Sequence, residues 1–215
     1  LYDAHLPTQT ILEKPTINNT LMEILAQHNL STFSIAETEK YAHVTYFFNA
    51  GREKTFEKET RVIIPSITTK TYKDIPEMQA NEITKQVVTS LKKNPKDFCL
   101  INYANPDMVA HSGDFEATKK AVECIDKQVK QLYEIVVEKM NGTLYITSDH
   151  GNAEIMWDEE NNQPHTAHTT NPVGFIFINR EVKDKKIELP LKGLKDIAPF
   201  ILKNLELPVP KEMKN

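Results

Sequence analysis

The sequence predicts an α/β fold, a mostly parallel sheet flanked by helices. Short apolar runs alternate with longer segments along the chain, as they do in βαβ units. Several of the longer segments keep one apolar face at helical pitch. Polar, ligand-like side chains gather just beyond the apolar runs, where open α/β sheets bind their ligands.

Taken in order, Thr20 and Glu23 have capping-box spacing and open a short helix through about Gln27. Strands are expected at Thr32 to Ala36 and at His43 to Asn49, the second rich in aromatic and β-branched residues. The polar connection Glu37 to Lys40 lies between them, and Asn49-Ala50-Gly51-Arg52 reads as a turn. A brief apolar stretch, Arg61 to Ile64, stops at Pro65. From about Gln79 to Lys93, Ile83, Val87 and Leu91 form one helical face. Phe98 to Asn102 reads as a strand, followed by a loop from Tyr103 to Asp107. The strongest helix pattern runs from Glu116 to Met140, with Gly142 just past its end. Thr143 to Thr147 is a further strand, and a polar loop from Trp157 to Pro172 leads to the strand Val173 to Ile178. The last helix spans roughly Leu194 to Leu205, with Pro199 near its first turn, where proline is tolerated.

The 215 residues suffice for one domain with a sizeable core or for two small ones. Net charge is −4, and the lysines are scattered. No basic tract or aromatic-interleaved motif favours nucleic acid. The apolar runs are too short to cross a bilayer, which takes about 20 residues. Cys99 and Cys124 lack CxxC spacing and read as buried free thiols, in keeping with a cytoplasmic protein. The chain starts at Leu1 rather than Met and reads as part of a longer protein.

The candidate chemistry lies in three loops. Asp107 and His111 follow one strand at i, i+4 spacing, so one helical turn faces them the same way. Asp149 and His150 follow a second strand, and His165 and His168 precede a third. Each residue alone reads more simply as a surface group, a cap or a turn residue. Four of the chain's seven histidines in these loops, beside carboxylates, make a metal site the better account. Imidazole plus carboxylate suits Mn²⁺, Zn²⁺ or Fe²⁺. Two such sets would hold two ions side by side, as phosphoryl-transfer sites do. The remaining histidines, His5, His28 and His43, read as structural or solvated.

Four long stretches then resemble one family in the right order. They are Ile35 to Thr45, Asn102 to Val109, Asp149 to Glu154, and Pro164 to Pro172. They are similar to the cofactor-independent (2,3-bisphosphoglycerate-independent) phosphoglycerate mutases of the alkaline-phosphatase superfamily, from about Asn18 to Met213. The resemblance implies an alkaline-phosphatase-like domain and interconversion of 3- and 2-phosphoglycerate in glycolysis with two Mn²⁺ ions, through a phosphoserine. It also implies a protein that is monomeric at full length. By motif, Asp107, His111 and His168 match the ligands of one manganese, and Asp149 and His150 match ligands of the other. Lys40 matches the lysine that contacts the phosphoryl group and the nucleophile. His165 falls in a motif without matching a direct ligand.

The resemblance also sets an expectation about extent. Family members carry an aspartate ligand, the nucleophilic serine and an inserted phosphotransferase domain upstream, and residues 1 to 30 match none of these. Residues 1–215 are expected to form the C-terminal segment of a discontinuous metal-binding domain and to be inactive alone. Ala50 and Ala110 stand where the family usually has glycine, for which a slight backbone adjustment is expected. Another metal-dependent phosphohydrolase or phosphomutase, or a metal-binding remnant without catalysis, are the other readings. The length of the matches Asn102 to Met108 and Pro164 to Pro172 favours the mutase.

Overall fold

A computed structural model describes residues 16–183 and 185–214. The expectation for His5 lies outside the described residues. Helix α1 (Leu21–Gln27) is closed by the predicted capping box, in which Thr20 and Glu23 each hold the other's backbone N–H. It leads into β1 (Thr32–Glu37), every residue of which is buried. Strand β1 is central: β2 (Glu59–Ile64) and β3 (Phe98–Ile101) run parallel to it on either side. Burial from both faces is what a parallel sheet between helix layers imposes.

One face of this sheet carries Phe33, Ile35 and Ile64 against α2 (Ala80–Lys93), through Ile83, Val87 and Leu91, and against Leu132 of α4 (Phe115–Tyr133). The predicted helical stripe is the stripe that is buried. Phe98 and Tyr145 join a second core with Leu21, Met22, Ile24 and Leu25 of α1 and Ile201 and Leu202 of α5 (Ile197–Asn204). A third cluster packs Val109 of α3 (Asn105–Ala110) against Ala117 and Ala121 of α4.

β4 (Leu144–Thr147) pairs with β7 (Phe175–Ile178), and the pairing is antiparallel. Thr147 therefore sits opposite Phe175. Residues that follow β4 and residues that precede β7 consequently meet at one edge.

Several expectations need correction. His43 to Asn49 is not a strand. Thr38–Val44 is a 3₁₀ turn, and the next residues fold back through Phe47 N–H to Ala42 O and Gly51 N–H to Tyr46 O. Both hydrogen-bonding edges of β1 are already taken by β2 and β3, so this β-prone segment has no place beside it. It buries Val44, Thr45 and Asn49 as a compact turn instead. The predicted loop after β3 becomes α3 from Asn105 onward, with Pro106 in its first turn. The long helix changes at Glu134–Lys139 to a π turn. The polar loop before β7 holds a small hairpin, β5 (Trp157–Asp158) with β6 (Gln163–Pro164). Cys99 and Cys124 are free, as expected, but only partly buried.

Candidate metal centre

The carboxyl ends of β1, β3 and β4 and the approach to β7 each deliver side chains to one place. The turn after β1 carries Lys40, α3 after β3 carries Asp107 and His111, the segment after β4 carries Asp149 and His150, and the segment before β7 carries His168. Lys40 Nζ donates to Asp107 Oδ2 at 2.5 Å. The other oxygen, Oδ1, lies 3.0 Å from His168 Nε2 and 3.2 Å from His111 Nε2, and those two nitrogens are 3.2 Å apart. Burial works against charge on Asp107. The Lys40 and Asn152 hydrogen bonds and the nearby Lys40 and His111 outweigh it and hold the carboxyl down at about 2.

His111 Nδ1 lies 2.8 Å from the Thr166 carbonyl oxygen. A carbonyl only accepts, so Nδ1 carries the hydrogen of the neutral ring and Nε2 keeps its lone pair facing Asp107 and His168. Donors that share one ion at about 2.1 Å each stand about 3.0 to 3.4 Å apart. The Asp107–His111–His168 spacing falls in that range, with a lone pair directed inward, so the donor set fits a divalent cation.

His150 stacks on His168 with ring centroids 3.7 Å apart and planes 23° from parallel. A ligand atom of His150 lies within 4.8 Å of those of Asp107 and His168. Asp149 is at the rim, its carboxylate 3.6 Å from His150 Nε2. The structure thus brings all five predicted ligand residues and Lys40 together. His111 completes the tighter triad, and His150 lies one step further out with Asp149. His165 is held by its backbone N–H to Met156 O, and its ring helps to lower the Asp158 carboxyl.

Two glycines let the loops close. Gly151 bridges to Thr169, and a Cβ there would collide with Thr169 Oγ1 and Glu154 Oε1. Its role is close approach of two loops. Gly113 has φ +71° beyond α3, and a Cβ would meet Pro164 at 2.7 Å. Glu154 completes the clip. It accepts from Asn152 N–H at 2.7 Å, from the Thr169 hydroxyl and from Asn171 Nδ2 at 3.1 Å, tying the segment after β4 to the one before β7.

Two residues at the site were not anticipated from sequence. Asn152 donates from Nδ2 to Asp107 Oδ1 at 2.7 Å, although its place beside Asp149 and His150 was a visible signal. His43, read as structural or solvated, packs edge-on against Phe47 and feels Lys40, Asp149, Asp107 and His150. Burial first, and then Lys40, lower its pKa. Its position depends on the unforeseen turn that replaces the expected strand.

A donor set that fits a cation, on the carboxyl edge of an α/β sheet, is the architecture expected of a metalloenzyme. The chain belongs to the Metalloenzyme superfamily, which matches residues 4–209. Among its relatives, a protein of Gloeobacter violaceus named 2,3-bisphosphoglycerate-independent phosphoglycerate mutase is 48% identical, covering 99% of this chain and 40% of that protein. One of the same name from Ehrlichia canis is 49% identical, covering 99% of this chain and 42% of that protein. The crystal structure of Leishmania mexicana phosphoglycerate mutase at low cobalt concentration superposes with a TM-score of 0.80 at 30% identity, over 90% of this chain and 38% of that one. A Pyrococcus horikoshii protein, at a TM-score of 0.53 and 15% identity, shares the fold. The resemblance read from the motifs is borne out. The chain spans about 40% of the length of the curated relatives it matches.

Proposed function

We propose that this chain is the metal-binding part of a 2,3-bisphosphoglycerate-independent phosphoglycerate mutase that interconverts 3- and 2-phosphoglycerate. The observation that carries the reading is the convergence of Asp107, His111 and His168 at 3.0 to 3.2 Å, with Lys40 on the opposite oxygen of the same carboxylate. Asp107, His111 and His168 would hold one Mn²⁺, and Asp149 and His150 would contribute to a second. The Metalloenzyme family match and the Leishmania mexicana crystal structure at low cobalt concentration support a divalent metal. When bound, the ions supply Lewis acidity to phosphoryl oxygens and lower the pKa of a hydroxyl nucleophile.

The chain's own residues do the rest. Lys40 is a cation held only 12% exposed beside the cluster, where poor hydration makes its charge felt by a phosphoryl group. Thr166 fixes the tautomer of His111. The Glu154 clip sets the distance between the loops that carry His150 and His168. Residues 1–215 would form the second segment of a discontinuous, alkaline-phosphatase-like domain of a cytoplasmic, monomeric enzyme. Among the described residues no helix is long and apolar enough to cross a membrane.

The test is a calorimetric Mn²⁺ titration of the purified chain. His168→Ala and Asp149→Asn are each expected to remove high-affinity binding at one site. Unchanged stoichiometry in both variants would overturn the assignment.

A further inference from the structure

Asn152 is 5% exposed, although it follows Asp149 and His150 on a largely exposed segment. Its Nδ2 lies 2.7 Å from Asp107 Oδ1 and 3.4 Å from the Asp107 carbonyl oxygen, so the amide straddles side chain and backbone of one residue. Its Oδ1 has no protein partner. The amide orientation is fixed by chemistry: turned over, it would set an acceptor oxygen against a carboxylate oxygen held ionised by Lys40.

We infer that Asn152 is a positioning residue that aims the Asp107 carboxylate at the cation. The inference rests on the metal-centre reading above. A carboxylate oxygen accepts in more than one direction. On Asp107, Lys40 occupies Oδ2, and Asn152 occupies one direction of Oδ1. The remaining direction of Oδ1 is left to the side where His111 Nε2 and His168 Nε2 stand. Without the amide, rotation about the Asp107 side chain would no longer be stopped on that side, and the three donors would lose their shared focus.

The support for Asn152 is independent of the cluster. Its backbone N–H is taken by Glu154 Oε2 at 2.7 Å, and Glu154 is itself held by Thr169 and Asn171. The amide is therefore placed before any ion is bound, as groups behind metal ligands must be if they are to orient them.

The test uses Asn152→Leu and Asn152→Ala in the 215-residue chain. Leu keeps the branched four-atom shape of the side chain and removes the donor, and the unpartnered Oδ1 makes its loss of an acceptor harmless. Both variants are expected to bind Mn²⁺ about 10- to 100-fold more weakly by calorimetry. Metal-free melting of the Leu variant should stay within a few degrees of wild type. Wild-type affinity in the Leu variant would overturn the inference, because a branched side chain without a donor would then suffice. The wild-type chain gives a readout that needs no variant. The Asn152 side-chain amide protons should resist solvent exchange by NMR, before and after addition of diamagnetic Zn²⁺, and fast exchange in both states would also overturn it. A wild-type chain that takes up no Mn²⁺ overturns the metal-centre reading and this inference together, whereas wild-type uptake with an unaffected Leu variant removes this inference alone.

Discussion

Ala50 stands in a turn with φ +56°, followed by Gly51 at +81°. A left-handed conformation crowds a Cβ against the next carbonyl oxygen and costs about 1 kcal/mol or more at a non-glycine residue. Ala50 thus holds a left-handed turn position at a cost that glycine would not bear. Ala50→Gly removes the crowding but adds about 0.5 to 1 kcal/mol of unfolded-state entropy. The expected outcome is a gain between zero and about 1 kcal/mol in urea unfolding. A clear loss of stability would show that the methyl group has packing value that its geometry does not suggest. Ala110 differs: it ends α3 and is fully buried. At this scale the grouping of these side chains was legible because Asp107 and His111, and Asp149 and His150, are each close in sequence. The place of Asn152 beside Asp149 and His150 was visible, but its partner was not, because a hydrogen bond from residue 152 to residue 107 leaves no local periodicity to read.

At the level of elements, β1 ends on Glu37, a fully buried carboxyl that binds Ser66 Oγ at 2.9 Å and the Gln79 N–H at 3.4 Å. It thereby joins the ends of β1 and β2 to the start of α2, just before the turn that carries Lys40. Burial pushes the Glu37 carboxyl up; the Ser66 and Gln79 bonds pull it down only in part, and Glu39 adds to the rise. A carboxyl raised in the folded state stabilises fully below the ordinary glutamate range, and that contribution fades as pH rises through the raised value. Asp107 works in the opposite sense: its carboxyl is held near 2, so its contribution is present at neutral pH and fades as pH falls toward that value. Glu37→Gln leaves the Asp107 effect in place, so the difference between variant and wild type isolates Glu37. Urea unfolding from pH 4 to pH 8 should show the variant gaining on wild type as pH rises, and parallel curves would contradict the assignment. Helices α1, α2 and α4 and strands β1, β3, β4 and β7 were legible because each carries its own period or apolar run. The Thr38–Val44 turn was not, because its residues suit a strand and only the prior occupation of both β1 edges excludes one.

At the level of the whole molecule, the parallel trio β2-β1-β3 and the antiparallel pair β4-β7 are separate sheets among the described residues. Tyr145, Phe175 and Phe177 cover one face of the pair by packing on Phe200 of α5. The opposite face carries Leu144 with Ile178 and Ile146 with Ile176, and Ile176 is 53% exposed. The chemistry at the edge is similarly one-sided. The proposed cation ligands and a lysine are present, yet the serine hydroxyls near it are engaged elsewhere: Ser148 donates to His150 O at 2.6 Å, Ser112 to Val109 O at 2.6 Å and Ser66 to Glu37. A phosphoryl group passed through the enzyme needs a free, activated hydroxyl within reach of the ions. The relatives that carry the mutase name are covered over only about 40% of their length. The 215-residue chain is therefore expected to bind Mn²⁺ while giving no measurable turnover of 3-phosphoglycerate. A coupled assay at saturating Mn²⁺, run on chain whose metal content has been measured, makes the comparison. Loaded but inactive chain fits a cluster that holds ions without a nucleophile. Sustained turnover would mean that one of the chain's own hydroxyls leaves its hydrogen bond to attack the phosphoryl group, with Ser148, two residues from His150, the first to replace by alanine.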